Sequence, residues 1–342
     1  MRWVWIIGLP LMAGMAGPAE AKPHRSHVPP EDPSQGDFWR DILEPHREVV
    51  TAIVAKARTA IEKLSAAADG DEAVEQRVRR VSDAYGMLRY ARKLSPDNTE
   101  VLSLLGAAAD ELGKTHQALE VLEACVRQDG PERTDPEVTG RLGMIYLRLG
   151  KLDDAIRWLR YAQGPIGASD HAAAAVYLAT ALAAHGEMAN AIDLLVNALP
   201  APTSYAPDRV ALVSFALAVH YDRDDQRGAA FDVLDKMQAT LQQELGPLTQ
   251  RALAGMRFAP PEDQYYYRAL LYEALDAYAE ARAEWALYAS VTDAPWRRRA
   301  LEHIQAIDQL IAAQRSAHPG APPTSSAGPS SGRPLLHRRP VP

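Results

Sequence analysis

The stretch that decides the fold is residues 141–162, RLGMIYLRLGKLDDAIRWLRYA. Two apolar runs with the 3.6-residue period of a helix flank a short turn that contains Gly150. A glycine just past a helix closes it at low cost in the left-handed conformation, so the stretch predicts a helical hairpin. This stretch alone does not decide whether the hairpin is a single element of an irregular helical bundle or one copy of a repeated module.

The same spacing recurs along the chain. A glycine followed five residues later by an alanine is found three times: Gly113 and Ala118, Gly150 and Ala155, Gly186 and Ala191. Successive alanines are 37 and 36 residues apart, 155 − 118 and 191 − 155. Weaker copies centre on Ala84, Ala230 and Ala281. An irregular bundle does not require this regularity, and no heptad pattern persists as in a coiled coil, so a repeat array is favoured.

These copies resemble the tetratricopeptide repeat, a unit of ~34 residues and two helices with the pattern W-x2-L-G-x2-Y…A-x3-F. In the copy at 136–169, Thr139 stands at the Trp position, and the other pattern positions hold Leu142, Gly143, Tyr146, Ala155 and Leu159. Further copies are placed at 99–132, 172–205, 211–244 and 262–295, with an insertion near 244–261. The match is specific in the middle three copies, 99–132, 136–169 and 172–205, and loose in the weaker copies at both ends.

The resemblance implies an all-α, helix-turn-helix repeat solenoid, a right-handed superhelix with disordered flanking termini. Its spacing has a physical reason, since small residues such as Gly106, Gly143 and Ala155 fall where two helix backbones must approach closely. One hairpin cannot cover its own apolar face, so neighbouring hairpins must stack on one another.

Composition sets the limits of the array. Residues 45–98 are expected to form an N-terminal capping helix and a degenerate repeat, residues 99–295 the array, and residues 296–314 a C-terminal capping helix. Residues 22–44 predict a Pro-rich linker, and residues 315–342 a Pro/Ser/Gly-rich tail that cannot bury a core.

The opening residues, MRWVWIIGLPLMAGMAGPAEA, predict an export signal over 1–21. Arg2 precedes an apolar stretch that is short for a membrane span, and Ala19-Glu20-Ala21 predicts cleavage before Lys22. Cleavage implies export, most naturally to a periplasm. The alternative is an uncleaved segment that anchors the chain in a membrane.

The sequence shows no motif of an enzyme or a metal site. It has no Gly-rich phosphate loop, no H-E-x-x-H, no G-x-S-x-G and no cysteine pair, and the single Cys125 predicts a buried structural thiol. The acidic run from Asp222 to Asp225 lacks the spacing of a calcium loop and predicts a solvated turn. We therefore expect no catalytic residue, no cofactor and no metal. The net charge of −7 argues against nucleic acid as a partner.

The resemblance also implies a groove, lined by the first helices of successive repeats, that receives a peptide or a helix of a partner protein. Carrying the family geometry over to this sequence gives the lining Arg141, Met144, Arg148, Tyr177, Phe215, Arg223, Tyr266, Tyr267 and Glu273, with Asp110 and Glu111 in the copy at 99–132. Aromatic and arginine side chains are the usual anchors of interfaces.

Arg141 and Arg148 lie on one face of a helix, where they could hold a carboxylate or a phosphate. The Lys and Asn set with which some relatives hold a peptide's terminal carboxylate is absent, because Gly140 and Met144 occupy the two matching positions.

These observations predict a non-enzymatic scaffold that binds other proteins, exported and serving envelope assembly, secretion or motility. Two alternatives stay open. The first is a membrane-tethered assembly factor that keeps its N-terminal anchor and contacts the membrane only there. The second is an enzyme accessory protein with a site in the insertion or in the acidic run.

Overall fold

The computed structural model describes residues 45–66, 74–163, 172–199, 207–241 and 245–317. All regular secondary structure within these ranges is α-helical. The helices are α1 (Arg47–Ala66), α2 (Val74–Leu94), α3 (Thr99–Glu111), α4 (Thr115–Asp129), α5 (Pro136–Arg148), α6 (Leu152–Gln163), α7 (Ala172–Ala184), α8 (Met188–Ala198), α9 (Pro207–Arg223), α10 (Arg227–Leu241), α11 (Leu245–Ala254), α12 (Asp263–Ala274), α13 (Tyr278–Ser290) and α14 (Arg297–Ala317).

The predicted signal at 1–21 and the linker at 22–44 lie outside the described residues, as does the tail from 318 onward. The C-terminal capping helix α14 ends at Ala317, three residues beyond its predicted end at 314. Among the described helices, none is both long enough and apolar enough to cross a bilayer.

The predicted hairpin is closed by a left-handed turn. Gly150 has a φ of +70°, and its N–H donates to the carbonyl of Leu147 at 3.0 Å. The following N–H, of Lys151, donates to the carbonyl of Tyr146 at 3.0 Å. These two bonds satisfy carbonyls at the end of α5 that would otherwise lack partners.

The same turn closes the other copies of the module. Gly113 and Gly186 have φ values of +69° and +91°, as their spacing predicted. In the fourth and fifth copies, where the glycine is missing, Asp225 and Asp276 adopt φ values of 57° and 59°. Asp enters the left-handed region more readily than most residues, because its short side chain hydrogen-bonds locally. The described chain therefore carries five hairpins closed alike: α3–α4, α5–α6, α7–α8, α9–α10 and α12–α13.

Close helix packing explains the small residues of the pattern. A Cβ added to Gly106 would lie 2.3 Å from Leu122, and one added to Gly143 would lie 2.4 Å from Leu159. Both leucines are fully buried. The alanine five residues after each turn is buried in all five hairpins: Ala118, Ala155, Ala191, Ala230 and Ala281. The packing reason given for the spacing is thus confirmed.

The hairpins stack in sequence order. Helix α4 packs on α5, α6 on α7, and α8 on α9, while α2 and α14 pack on the two ends. The first helices of the first four hairpins, α3, α5, α7 and α9, also contact their neighbours in turn. The fold is therefore a helical repeat solenoid, as the sequence predicted.

The insertion forms a helix of its own. Helix α11 packs mainly against α9 and buries Leu245, Leu248 and Leu253. The chain then runs through 255–258 before α12 begins. We call residues 245–258 the insertion arm.

Cys125 is buried in α4, and its Sγ donates to the carbonyl of Thr99 at 3.5 Å. Burial raises the pKa of this thiol to about 11, so it stays protonated at neutral pH. The burial expected for a structural thiol is confirmed.

Candidate partner-binding face

The helices α3, α5, α7, α9 and α12 are the first helices of the five hairpins, and we call the surface they share the first-helix face. At one end of this face Asp110 accepts hydrogen bonds from three arginines. Arg148 is the nearest, Arg257 lies at 2.9 Å and Arg141 at 3.4 Å. Asp110 sits in the last turn of α3, where the helix dipole disfavours a carboxylate, so these cations offset an unfavourable position.

Glu111 is the second acceptor of this group. It takes hydrogen bonds from Arg141 at 3.3 Å and from Arg257. Arg141 also donates to Glu137, one turn earlier in α5, at 3.2 Å. We call these side chains the face cluster: Asp110, Glu111, Glu137, Arg141, Arg148 and Arg257. Its three carboxylates and three guanidinium groups balance in charge.

The members of the face cluster differ in how far their side chains are exposed to solvent. The side chain of Asp110 is 2% exposed, that of Arg141 17%, that of Arg148 29% and that of Arg257 39%. Burial alone would lower the pKa of Arg141, but Asp110, Glu137 and Glu111 outweigh it and leave that pKa raised. Arg257, the only member that does not come from a repeat, is thus the most accessible of the three arginines.

The insertion arm lies on the first-helix face. The backbone N–H of Arg257 donates to the hydroxyl of Tyr177 in α7 at 3.0 Å, and burial raises the pKa of that phenol. The ring of Phe258 lies 5.2 Å from the ring of Tyr267 in α12. Two consecutive residues of the arm therefore contact α3, α7 and α12.

A second charged group lies at the other end of the array. Asp222, in the last turn of α9, accepts from Arg299 of α14, from the hydroxyl of Tyr266 at 2.7 Å and from Nε2 of His303 at 3.0 Å. Nδ1 of His303 donates to Glu273 at 2.8 Å. We call these side chains the end cluster: Asp222, Tyr266, Glu273, Arg299 and His303.

His303 is charged in this setting. Burial alone would lower its pKa, but the hydrogen bonds and charges of Asp222 and Glu273 raise the pKa of His303 to about 9. Both ring nitrogens face carboxylates, so both must carry protons. The imidazole ring of His303 stacks on the ring of Trp285, with 4.4 Å between the ring centroids.

Arg223 is buried beside the end cluster. Its guanidinium pairs with Asp263 at 2.8 Å and lies 3.9 Å from the ring of Trp296 and 4.6 Å from that of Tyr266. Aromatic faces attract a desolvated cation, so the rings supply part of what water would otherwise provide. This pair and the end cluster hold α9, α12 and α14 together.

The structure divides the predicted groove residues into three groups. Arg141, Arg148 and Tyr177 lie in or beside the face cluster. Glu273 is a partly exposed member of the end cluster. The remaining five are buried, and one of them, Tyr266, also belongs to the end cluster: Met144, Phe215, Arg223, Tyr266 and Tyr267.

These five side chains have almost no exposed surface, so in this conformation they do not line a groove. Tyr266 and Arg223 pack against Trp296, the residue before α14, and Tyr267 packs against Phe215 and Phe258. Partner binding stays a prediction for the other four residues, Arg141, Arg148, Tyr177 and Glu273.

Arg141 and Arg148 hold a carboxylate of the chain itself, that of Asp110, and their binding of a partner's carboxylate or phosphate stays a prediction. One expectation about charged residues needs correction. The acidic run is not a solvated turn throughout, because Asp222 and Arg223 are buried and only Asp224 and Asp225 are exposed. Arg299 and His303 of α14 cover Asp222, whereas Asp263 and Trp296 contact Arg223. The local sequence shows neither set of contacts.

Arg257 is the member of the face cluster that sequence reasoning missed, as it missed Arg299 and His303 in the end cluster. The insertion has no counterpart in the repeat pattern, and Arg257 is 147 positions from Asp110. Among the described residues, no group of three or more His, Cys, Asp or Glu side chains is arranged to hold a metal ion.

Comparison with known proteins gives structural neighbours alone. No family model and no curated protein matches the sequence. A crystal structure of MamA is 20% identical, with a TM-score of 0.42, over 51% of this chain and 97% of that one. YrrB, described as a TPR protein with an unusual peptide-binding site, is 19% identical, with a TM-score of 0.40, over 52% of this chain and 84% of that one.

TTC0263, a thermophilic TPR protein of Thermus thermophilus, is 20% identical, with a TM-score of 0.39, over 58% of this chain and 98% of that one. Nothing about ligands or partners is carried over at these levels of similarity. The chain's own geometry, with five hairpins closed by the same left-handed turn, decides the architecture. The described chain is a helical repeat array, consistent with a tetratricopeptide-repeat protein.

Proposed function

We propose that this tetratricopeptide-type array is a non-enzymatic scaffold that binds partner proteins through its first-helix face. The observation that carries the proposal is the face cluster, where charged side chains from α3 and α5 meet at a partly exposed surface. Repeat arrays present such extended surfaces because each hairpin adds one more helix to the same face.

The chemistry of this surface suits a polypeptide. Asp110 and Glu111 accept from a guanidinium, Tyr177 accepts from a backbone N–H, and Tyr267 packs against an aromatic ring. Each of these contacts is now made by the arm, a stretch of ordinary polypeptide. A segment of a partner protein offers the same groups.

Site-specific photo-crosslinking in the native host tests this function. A photoreactive amino acid replaces Glu137 of α5, whose side chain is 72% exposed, or Arg157 of α6, 58% exposed, as the matched control away from the face. We expect one protein to be captured from position 137 and not from 157, and to bind the purified chain directly in calorimetry. Equal capture from both positions, or no direct binding, would overturn the proposal.

We also propose that the scaffold is exported and serves an envelope, secretion or motility assembly. The support is the apolar N-terminal stretch and the Ala19-Glu20-Ala21 pattern before Lys22. Mass spectrometry of the mature N-terminus decides between export and the membrane-tethered alternative. A chain that starts at Lys22 supports cleavage, whereas a chain that keeps residues 1–21 supports the anchor.

A further inference from the structure

The insertion arm has two parts that differ in burial. Its helix is anchored, because Leu245, Leu248 and Leu253 are buried against the array. Beyond the helix Gly255 is exposed, and Met256, Arg257 and Phe258 are only partly buried. The tip, residues 255–258, thus lies between this anchor and the buried Ala259, and its own partly exposed side chains can leave the first-helix face while both ends stay in place.

The tip is held by contacts that another chain could replace. Arg257 donates its guanidinium to Asp110 and Glu111, and its backbone N–H to Tyr177. Phe258 adds a ring against Tyr267. None of these contacts depends on the arm's connection to α11 and α12, so an arginine followed by an aromatic residue would meet the same groups.

Charge favours a cation at this place. Without Arg257 the face cluster holds Asp110, Glu111 and Glu137 against Arg141 and Arg148 alone, which leaves one negative charge in excess. Asp110 is nearly fully buried, and a buried carboxylate is costly unless it is paired. The site therefore selects a guanidinium or an ammonium group, and two acceptors side by side favour the forked guanidinium.

We propose that Asp110, Glu111 and Tyr177 form a docking site for an extended partner segment that carries an arginine followed by an aromatic residue, and that Arg257 and Phe258 are its internal occupant. The partner binds by displacing the tip of the arm. This inference rests on the proposed function and names the chemistry of the partner.

The arm's own sequence supplies the probe. A fluorescent peptide of residues 251–262, RALAGMRFAPPE, is titrated against the full chain and against the double variant Arg257→Ala/Phe258→Ala, up to millimolar concentration. Tethering gives the resident tip an effective concentration in the millimolar range, so it competes strongly in the unaltered chain. We expect the peptide to bind the variant at least tenfold more tightly.

Matched controls separate docking from unspecific charge. Arg127→Ala removes an exposed arginine of α4 and should leave peptide binding as weak as in the unaltered chain. A peptide with Glu in place of Arg257 should not bind the double variant. It should bind a chain that carries Glu111→Arg together with Arg257→Ala/Phe258→Ala, because the charges are exchanged.

Equal affinity for the unaltered chain and the double variant, or no binding to either, would show that the arm is a fixed strut and overturn the inference. Circular dichroism melts confirm that each variant is folded. If crosslinking finds a partner at position 137 whose affinity does not change in the double variant, the scaffold stands and the docking chemistry fails. If the peptide binds the double variant but crosslinking captures no partner, the docking chemistry stands and the proposed scaffold function fails.

Discussion

Asp110 and Asp222 occupy the same position of the repeat, three residues before the left-handed residue of their turns, yet the array uses them differently. At the C-terminal end, Asp222 is enclosed by Arg299 and His303 from the terminal helix. In the first hairpin, Asp110 is shared by two arginines of α5 and by Arg257 of the arm. One arrangement closes the array, and the other leaves a charged surface that a single side chain covers.

The difference lies in what supplies the countercharge. Arg299 is 4% exposed and stands on a helix that packs along the last hairpin, so removing it from Asp222 means undocking that helix. Arg257 is 39% exposed and stands on a short connection, so it can leave alone. Buried ion pairs resist the loss of either partner, whereas exposed pairs contribute little to stability.

The largest effect is expected for Asp222→Ala. It removes the buried carboxylate that Arg299 and His303 share and leaves them the partners at its edge, among them Glu273 for His303 and Glu302 for Arg299. This loss should lower the free energy of unfolding by about 3–5 kcal/mol. Urea denaturation measures the change. Asp308→Ala, in the exposed pair with Arg282, is the control and should have a much smaller effect, because water screens that pair. Equal effects of the two substitutions would contradict the claim that the end cluster stabilises the array as the face cluster does not.

His303 gives the end cluster a pH dependence. Its pKa is raised from 6.5 to about 9, so the stabilisation is fully present below pH 6.5 and is lost as the pH rises through about 9. We expect the unfolding free energy to fall by about 3 kcal/mol between pH 6 and 10 relative to His303→Gln. Parallel stability curves for the two proteins over this range would show that His303 is not held protonated.

A substitution that changes only packing within α5 gives an uncharged reference for the stability effects of the two clusters. Gly143→Ala places a Cβ 2.4 Å from Leu159 and should destabilise the chain by about 1–2 kcal/mol net of the gain in helix propensity. Gly140→Ala, whose Cβ would lie 3.4 Å from Ala162, is the matched control and should be neutral or stabilising. Thermal melts compare the two, and a more stable Gly143→Ala would contradict the close approach.

The smallest effect on stability is expected at the face cluster. Arg257→Ala should lower the free energy of unfolding by less than about 1 kcal/mol, because its guanidinium is partly exposed and the cluster keeps Arg141 and Arg148. Urea denaturation measures it beside Arg127→Ala. A loss comparable to that of Asp222→Ala would mean that the arm closes the array as α14 does.

The sequence predicted the repeat because its signals are local. Gly150 and Ala155 lie five positions apart within one hairpin, and their pattern is visible without any contact between hairpins. The left-handed turns at Asp225 and Asp276 were not predicted as repeat turns. Aspartate can adopt the left-handed conformation, but unlike glycine it is common elsewhere and so does not mark such a turn in the sequence. The array is therefore more regular in structure than in sequence.

The two clusters were not predictable for a different reason. Asp222 and Arg299 are 77 positions apart, and Asp110 and Arg257 are 147 apart. Periodicity shows which face of a helix is apolar, but not which distant segment covers a polar one. Tyr266 and Tyr267 show the consequence, because these aromatic residues were placed in the groove by pattern but are buried against Trp296 and Phe258.

Amide hydrogen exchange of the full chain tests the contrast between the two clusters most directly. We expect the tip of the arm, residues 255–258, to exchange much sooner than the end of α9 around Asp222, and Arg257→Ala to speed exchange in the tip alone. Equal protection of the tip and of the end of α9, unchanged by Arg257→Ala, would contradict the account, because the arm would then be as fixed as the terminal helix.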